Sequence, residues 1–166
     1  MILSTREEHS LLGYISLAAQ SLTVVPYQPK HLSQYTPQES QKDWENIDEK
    51  EPGFSESIHA EGLSFTLLDK DENIVSCFGV FPHDDYCLSW AIHSELFHKY
   101  VIEVTRITKT CLNELKHTKE FRIAYTSVKA DFEGGHKWIK ALGFEEAEDQ
   151  FEVEDANFVL YGKVLV

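Results

Sequence analysis

The stretch FRIAYTSVKADFEGGHKWIKALGF, Phe121 to Phe144, decides the fold. Its first part, Phe121 to Val128, is dense in aromatic, β-branched and threonine residues, which fit a pleated, buried surface, and it predicts a strand. Asp131 is a candidate N-cap, and His136 to Leu142 predicts a short helix with Trp138, Ile139 and Leu142 on one apolar stripe. Gly143 follows where a helix commonly turns left-handed to end, a conformation open to a residue without Cβ. Phe144 then opens another strand. Strand, short helix and strand make a βαβ step, and the sheet around it must supply the core.

Outward from this unit, Glu95 to His117 carries Leu96, Phe97, Tyr100, Val101, Val104, Ile107, Cys111, Leu112 and Leu115 at intervals of three and four. That is the strongest helical period in the chain, and it predicts burial of Val101, Val104, Ile107 and Leu115 against the sheet. Leu63 to Leu68 and Ile74 to Phe81 predict two strands around a short charged turn, and Tyr86 to Ile92 a third after Pro82-His83-Asp84-Asp85. Leu22 to Val25 predicts a short strand, Pro37 to Ile47 a polar surface helix anchored by Trp44 and Ile47, and Glu51 to Ala60 a loop. Thr5-Arg6-Glu7-Glu8 fits a capping box, opening a helix with Leu11, Leu12, Ile15, Ala18 and Ala19 on its apolar face. Phe144 to Val153 and Phe158 to Val166 predict a closing hairpin.

The expected class is α/β (α+β): one domain with a mixed, mostly antiparallel sheet flanked by helices and an extra N-terminal helix. Residues 1–20 are expected to be a helical arm and 21–166 the domain. An apolar stripe on a lone helix needs a partner, so the arm is expected to serve self-association or a larger assembly.

Net charge −13, from 28 acidic and 15 basic residues, sets a field that repels phosphate backbones and anionic bilayers. No direct nucleic-acid or membrane partner is expected, no apolar run approaches a bilayer's width, and no signal peptide is read before the first helix. Cys77, Cys87 and Cys111, odd in number and without a CxxC pair, read as reduced buried thiols of a cytoplasmic protein. His83-Asp84-Asp85 reads as a solvated turn ahead of a metal site. His93 and His98, five apart, would not share a helix face, so no metal centre is expected. His136 beside Gly134-Gly135 could act as a base near a ligand; the plainer reading is a half-exposed histidine at a helix start. Gly-x-Ser-x-Gly, Walker and HExxH motifs do not occur.

The order strand, helix, three-strand meander, long helix, strand, short helix, hairpin, with Ala-Leu-Gly-Phe after the last helix, resembles the GNAT N-acetyltransferase superfamily from about Leu22 onward. The resemblance implies an acetyl-CoA pyrophosphate held on bare backbone amides at the start of the long helix. The matching stretch, His93 to Val101, has no glycine and carries Glu95. If an acyl-CoA binds, the residues placed around it are Ile92, His93, His98 and Lys99, the last two offering some positive charge. The resemblance also implies a tyrosine general acid four residues before the Gly-Phe glycine, where this chain has Ile139. Phe132 stands where many relatives carry asparagine.

Asp131 to Phe144, especially His136 to Lys140, and Tyr86 to His93 are similar to GNAT-like proteins of short-tailed phages, which include an internal virion protein. The resulting expectation is a catalytically degenerate GNAT-fold phage protein, a structural or protein-binding component of the virion or its assembly. It implies other phage proteins as partners, host cytoplasm or virion as location, and no cofactor. The alternative is an N-acetyltransferase using acetyl-CoA on a cationic amine drawn to the acidic chain, including a role against host defence.

Overall fold

The computed structural model describes residues 5–118, 121–147 and 157–165. Strands β1 (Thr23–Pro26), β2 (Leu63–Leu68), β3 (Ile74–Pro82) and β4 (Tyr86–His93) follow one another antiparallel, and β5 (Ile123–Lys129) runs parallel to β4. β7 (Phe158–Val164) then lies antiparallel between β5 and the two-residue β6 (Glu145–Glu146), giving the order β1-β2-β3-β4-β5-β7-β6. The βαβ step is present as β5, helix α6 (Glu133–Ala141) and β6, with β7 inserted between the two strands. The sheet is mixed and mostly antiparallel, in line with the sequence pattern. Of the expected strand Phe144 to Val153, residues 148–153 lie outside the described residues.

β3 is buried from Ile74 to Val80 because both faces of the sheet are covered there, which suits its unbroken apolar run. On one face pack α1 (Thr5–Ala18), α5 (Phe97–Thr118) and α6; on the other, α2 (Pro29–Ser33), α3 (Ile47–Lys50) and α4 (Phe54–Glu61). Val104, Ile107 and Leu115 of α5 are fully buried, as their spacing predicts. Val101 is 38% exposed, against expectation. The buried stripe runs at its N-terminal end through Phe97 and Tyr100, and at 100° per residue Val101 falls to its side.

Three local expectations change. The surface helix expected over Pro37 to Ile47 is broken into a 3-10 turn (Glu39–Trp44) and α3, because Gln41 lies outside helical geometry and Asn46 is left-handed at φ 55°. The expected loop Glu51 to Ala60 contains α4, whose buried Ser55 and Ile58 and half-buried Phe54 were too sparse an apolar signal for a helical period. At the start of α6 the N-cap is Phe132, not Asp131. The reading of Gly143 holds: it ends α6 at φ 92°.

Helix α1 packs along α5, with Leu11 and Ile15 inside the main core cluster. The link from α1 to β1 is clasped by Glu103 of α5. Its carboxylate accepts the backbone N–H groups of Gln20, Ser21 and Leu22 and the Ser21 hydroxyl, at 2.5–3.0 Å. Tyr14 and Leu17 of α1 and Ile102 of α5 remain exposed. The side chains at the start of the expected capping box, Thr5 to Glu7, lie outside the described residues.

Candidate functional site

The one parallel junction among the described strands is also a short one. β4 and β5 pair only through Tyr86–Ile123, Cys87–Ala124 and Leu88–Tyr125; the Ser89 hydroxyl then donates to the Tyr125 carbonyl at 2.9 Å. Beyond this point the strands part, while β5 keeps its full ladder with β7. An apolar cavity of about 50 Å³ lies at the parting on the α5 side. Ser89 and Ala91 of β4, Thr126 of β5, Leu112 of α5, and Trp138 and Leu142 of α6 are among its walls.

Strand alternation sends the Ser94 amide to β3, where it donates to the Val75 carbonyl, so the polar groups of Ala91 and His93 face the gap that β5 has left. Such groups must find partners. Here the chain itself supplies them. The Gln41 side chain donates through Nε2 to the Ala91 carbonyl (2.9 Å) and accepts the His93 amide on Oε1 (2.8 Å). The Gln38 amide donates to the His93 carbonyl (2.9 Å), and the Glu95 amide to the Thr36 carbonyl (3.2 Å). At the other wall Asp43 pairs with Lys129 at the end of β5.

The four residues placed around an acyl-CoA do not converge. Ile92 is buried on the far face of the sheet, in the cluster with Tyr27, Ile58 and Cys77. His93 is 4% exposed on the α5 side, its ring stacked on Phe97 (centroids 3.9 Å apart, 17° between planes) and met edge-on by Trp138 at 4.8 Å. Burial, with a smaller effect from nearby His98, holds its pKa down at about 3, so the ring is neutral near pH 7 and gives no charge to a phosphate. Its Nδ1 sits 2.8 Å from the Ser76 hydroxyl. His98 and Lys99 are exposed.

Nor do the amides at the start of α5 point free. Glu95 N–H is taken by Thr36, Leu96 N–H by the Ser94 hydroxyl (3.1 Å) and Phe97 N–H by the Ser94 carbonyl (3.1 Å). In this arrangement the turn does not fit a pyrophosphate, which needs several such donors at once. Sequence reasoning saw the missing glycine; the strapping segment 36–43 gave no local signal, since Gln41 reaches partners 50 and 52 residues away.

Around α6, Ile139 is buried in the position where the resemblance implies a tyrosine. Trp138 Nε1 donates to Thr105 Oγ1 (2.9 Å), carrying the indole across from α6 to α5. His136 has both nitrogens engaged: the Ala130 carbonyl 3.1 Å from Nε2 can only accept, so Nε2 carries the proton and Nδ1 accepts from the Tyr161 hydroxyl at 2.7 Å. The histidine thus ties the end of β5 and the start of α6 to the middle of β7. His83 stacks on Tyr86 in the β3–β4 turn, and no cluster of three potential metal ligands occurs among the described residues. Cys77, Cys87 and Cys111 are buried and unpaired, and burial pushes each thiol up to about 12. No helix among the described residues is long and apolar enough to cross a membrane.

No protein-family model matches this sequence, and no curated protein is significantly similar to it. Solved structures do match its fold. An acetyltransferase of the GNAT family from Staphylococcus aureus Mu50 superposes with a TM-score of 0.68 at 14% identity, over 87% of this chain and 99% of that one. A chimeric spermidine N-acetyltransferase from Vibrio cholerae and hSSAT gives 0.62 at 12% identity, over 88% and 96%. The ribosomal-protein-S5-alanine acetyltransferase from Vibrio fischeri gives 0.56 at 14%, over 88% and 94%. None of these three is described as a phage or virion protein. Sheet order, the parted β4 and β5, and these superpositions together give the chain the fold of the GNAT acetyltransferases.

Proposed function

We propose that the chain is an acyl-CoA-dependent N-acyltransferase acting on a cationic amine. The observation that carries this reading is the parting of β4 and β5 beside an apolar cavity, within a fold shared with known acetyltransferases. A net charge of −13 supports a cationic acceptor, because a long-range negative field raises the encounter rate with polyamines and other cations. Spermidine, the substrate named for the Vibrio cholerae protein, is such a cation and is the first acceptor to try. The test is thiol release from acetyl-CoA by the purified chain, with spermidine and peptide amines as acceptors. Release that saturates with acceptor supports the reading. Absence of release together with absence of CoA binding refutes it.

A second reading has its own observation. Ile139 cannot exchange a proton where the resemblance implies a tyrosine, and this favours a non-catalytic GNAT-fold binding protein. The phage likeness of Asp131 to Phe144 supports a place in a particle or its assembly, in host cytoplasm or virion, for such a protein. Partners would be other particle proteins or a second copy engaged through the N-terminal helix. CoA binding without thiol release, and co-purification with particle proteins, are its expected signs.

A further inference from the structure

We infer that the segment from Thr36 to Trp44 is a built-in plug of the β4/β5 cleft, which must detach before an extended, amide-bearing ligand can pair with β4. For the ligand's identity the inference rests on the acyl-CoA reading above. The Gln41 carboxamide presents one donor and one acceptor to the Ala91 carbonyl and the His93 amide, as a peptide unit of a neighbouring strand would. It therefore occupies the hydrogen-bonding positions that an incoming amide chain needs. The pantetheine arm of an acyl-CoA carries two secondary amides in an extended chain and would compete for the same two groups. Beside it, Thr36 engages the Glu95 amide at the entry to α5, so the segment that fills the strand edge also consumes a donor wanted by a phosphate.

The middle of the segment is its loosest part. Its 3-10 turn buries no side chain, Gln41 within it departs from helical geometry at φ −120°, and left-handed Asn46 follows. Pro37 and Gln38 are buried and Trp44 packs on Phe54, so detachment opens the turn between these anchors. The tie to β5 is the single pair Asp43–Lys129, with the Asp43 side chain largely in solvent. Surface pairs of this kind contribute little. Binding to a cleft that is open only part of the time is weakened in proportion to the closed fraction.

The experiment is calorimetric titration of acetyl-CoA into the wild-type chain, Gln41→Ala and Asp43→Ala, with circular dichroism and a thermal melt confirming each fold. Gln41→Ala removes the competing amide, while Asp43→Ala loosens the segment without touching β4. Hydrogen exchange at the His93 amide reports the strand edge directly. Both variants are expected to bind about tenfold more tightly, corresponding to a segment closed nine-tenths of the time. His93 exchange should speed up in ligand-free Gln41→Ala and slow again with acetyl-CoA. Binding to the wild type that neither variant strengthens overturns the plug and leaves the acyl-CoA reading standing. No binding to any of the three proteins overturns that reading and the plug with it.

Discussion

Glu103→Gln is expected to destabilise the protein by about 2–4 kcal/mol, because one carboxylate serves four donors, three backbone N–H groups on Oε1 and the Ser21 hydroxyl on Oε2. Glutamine with its oxygen at the Oε1 position keeps the three N–H groups as neutral bonds, each roughly 1 kcal/mol weaker than its charge-assisted counterpart. Its amide nitrogen then meets the Ser21 hydroxyl donor against donor, and the hydroxyl can rotate to accept. Domains of this size hold about 5–15 kcal/mol in all. The loss should therefore appear as a large shift of the urea midpoint at pH 7 with an unchanged slope. The effect has a pH signature. Burial alone would raise the Glu103 carboxyl, but the Ser21 hydroxyl and the amides of Gln20, Leu22 and Ser21 outweigh it and hold the pKa low. Its stabilisation is thus present above the ordinary carboxyl range and is lost as pH falls through the lowered folded value. The gap between wild type and Glu103→Gln should narrow there. A loss below about 1 kcal/mol at pH 7 would refute the clasp and restore α1 as a loosely joined arm.

Leu142→Ala, which empties a buried position between α6 and the sheet, should cost about 2–5 kcal/mol in a chemical melt; no loss would mean that α6 is not packed as described. His93 gives a second pH test. Folded, it stays neutral down to about pH 3, whereas unfolded it protonates below its ordinary 6.5. Stability should fall over that window by about 1.4 kcal/mol per pH unit, and His93→Phe should remove this slope between pH 6.5 and 5. Burial also lowers His31, which contributes its own decline in both proteins. Equal slopes would show that His93 is not buried as a neutral ring.

What could be read from the sequence was whatever repeats locally. The period of α5, the unbroken apolar run of β3 and the glycine stop at Gly143 all depend on neighbours a few residues apart. The candidate site depended on distant contacts. His93 was placed beside an acyl-CoA if one binds, yet Phe97 and Trp138, from two different helices, enclose its ring and leave it neutral. Gln41 carries no sign in its own surroundings that it will complete a strand 50 residues on. The polar run around Ile58 hid α4 for the opposite reason: Phe54 and Ile58 are its two apolar anchors, too few to set a period in a short helix with a polar outer face.

The insertion of β7 between β5 and β6 has a consequence for synthesis on the ribosome. β5 shares only three residue pairs with β4 but seven with β7, and β7 is made after the other described strands. During translation the hairpin stack β1 to β4 can form with α5 while β5 waits, its longer edge open to any passing strand. Within this sheet, vectorial folding therefore forms the seven-pair β5–β7 ladder late rather than early. A nascent chain stalled just short of Phe158 would present that edge to a chaperone, or to another stalled copy.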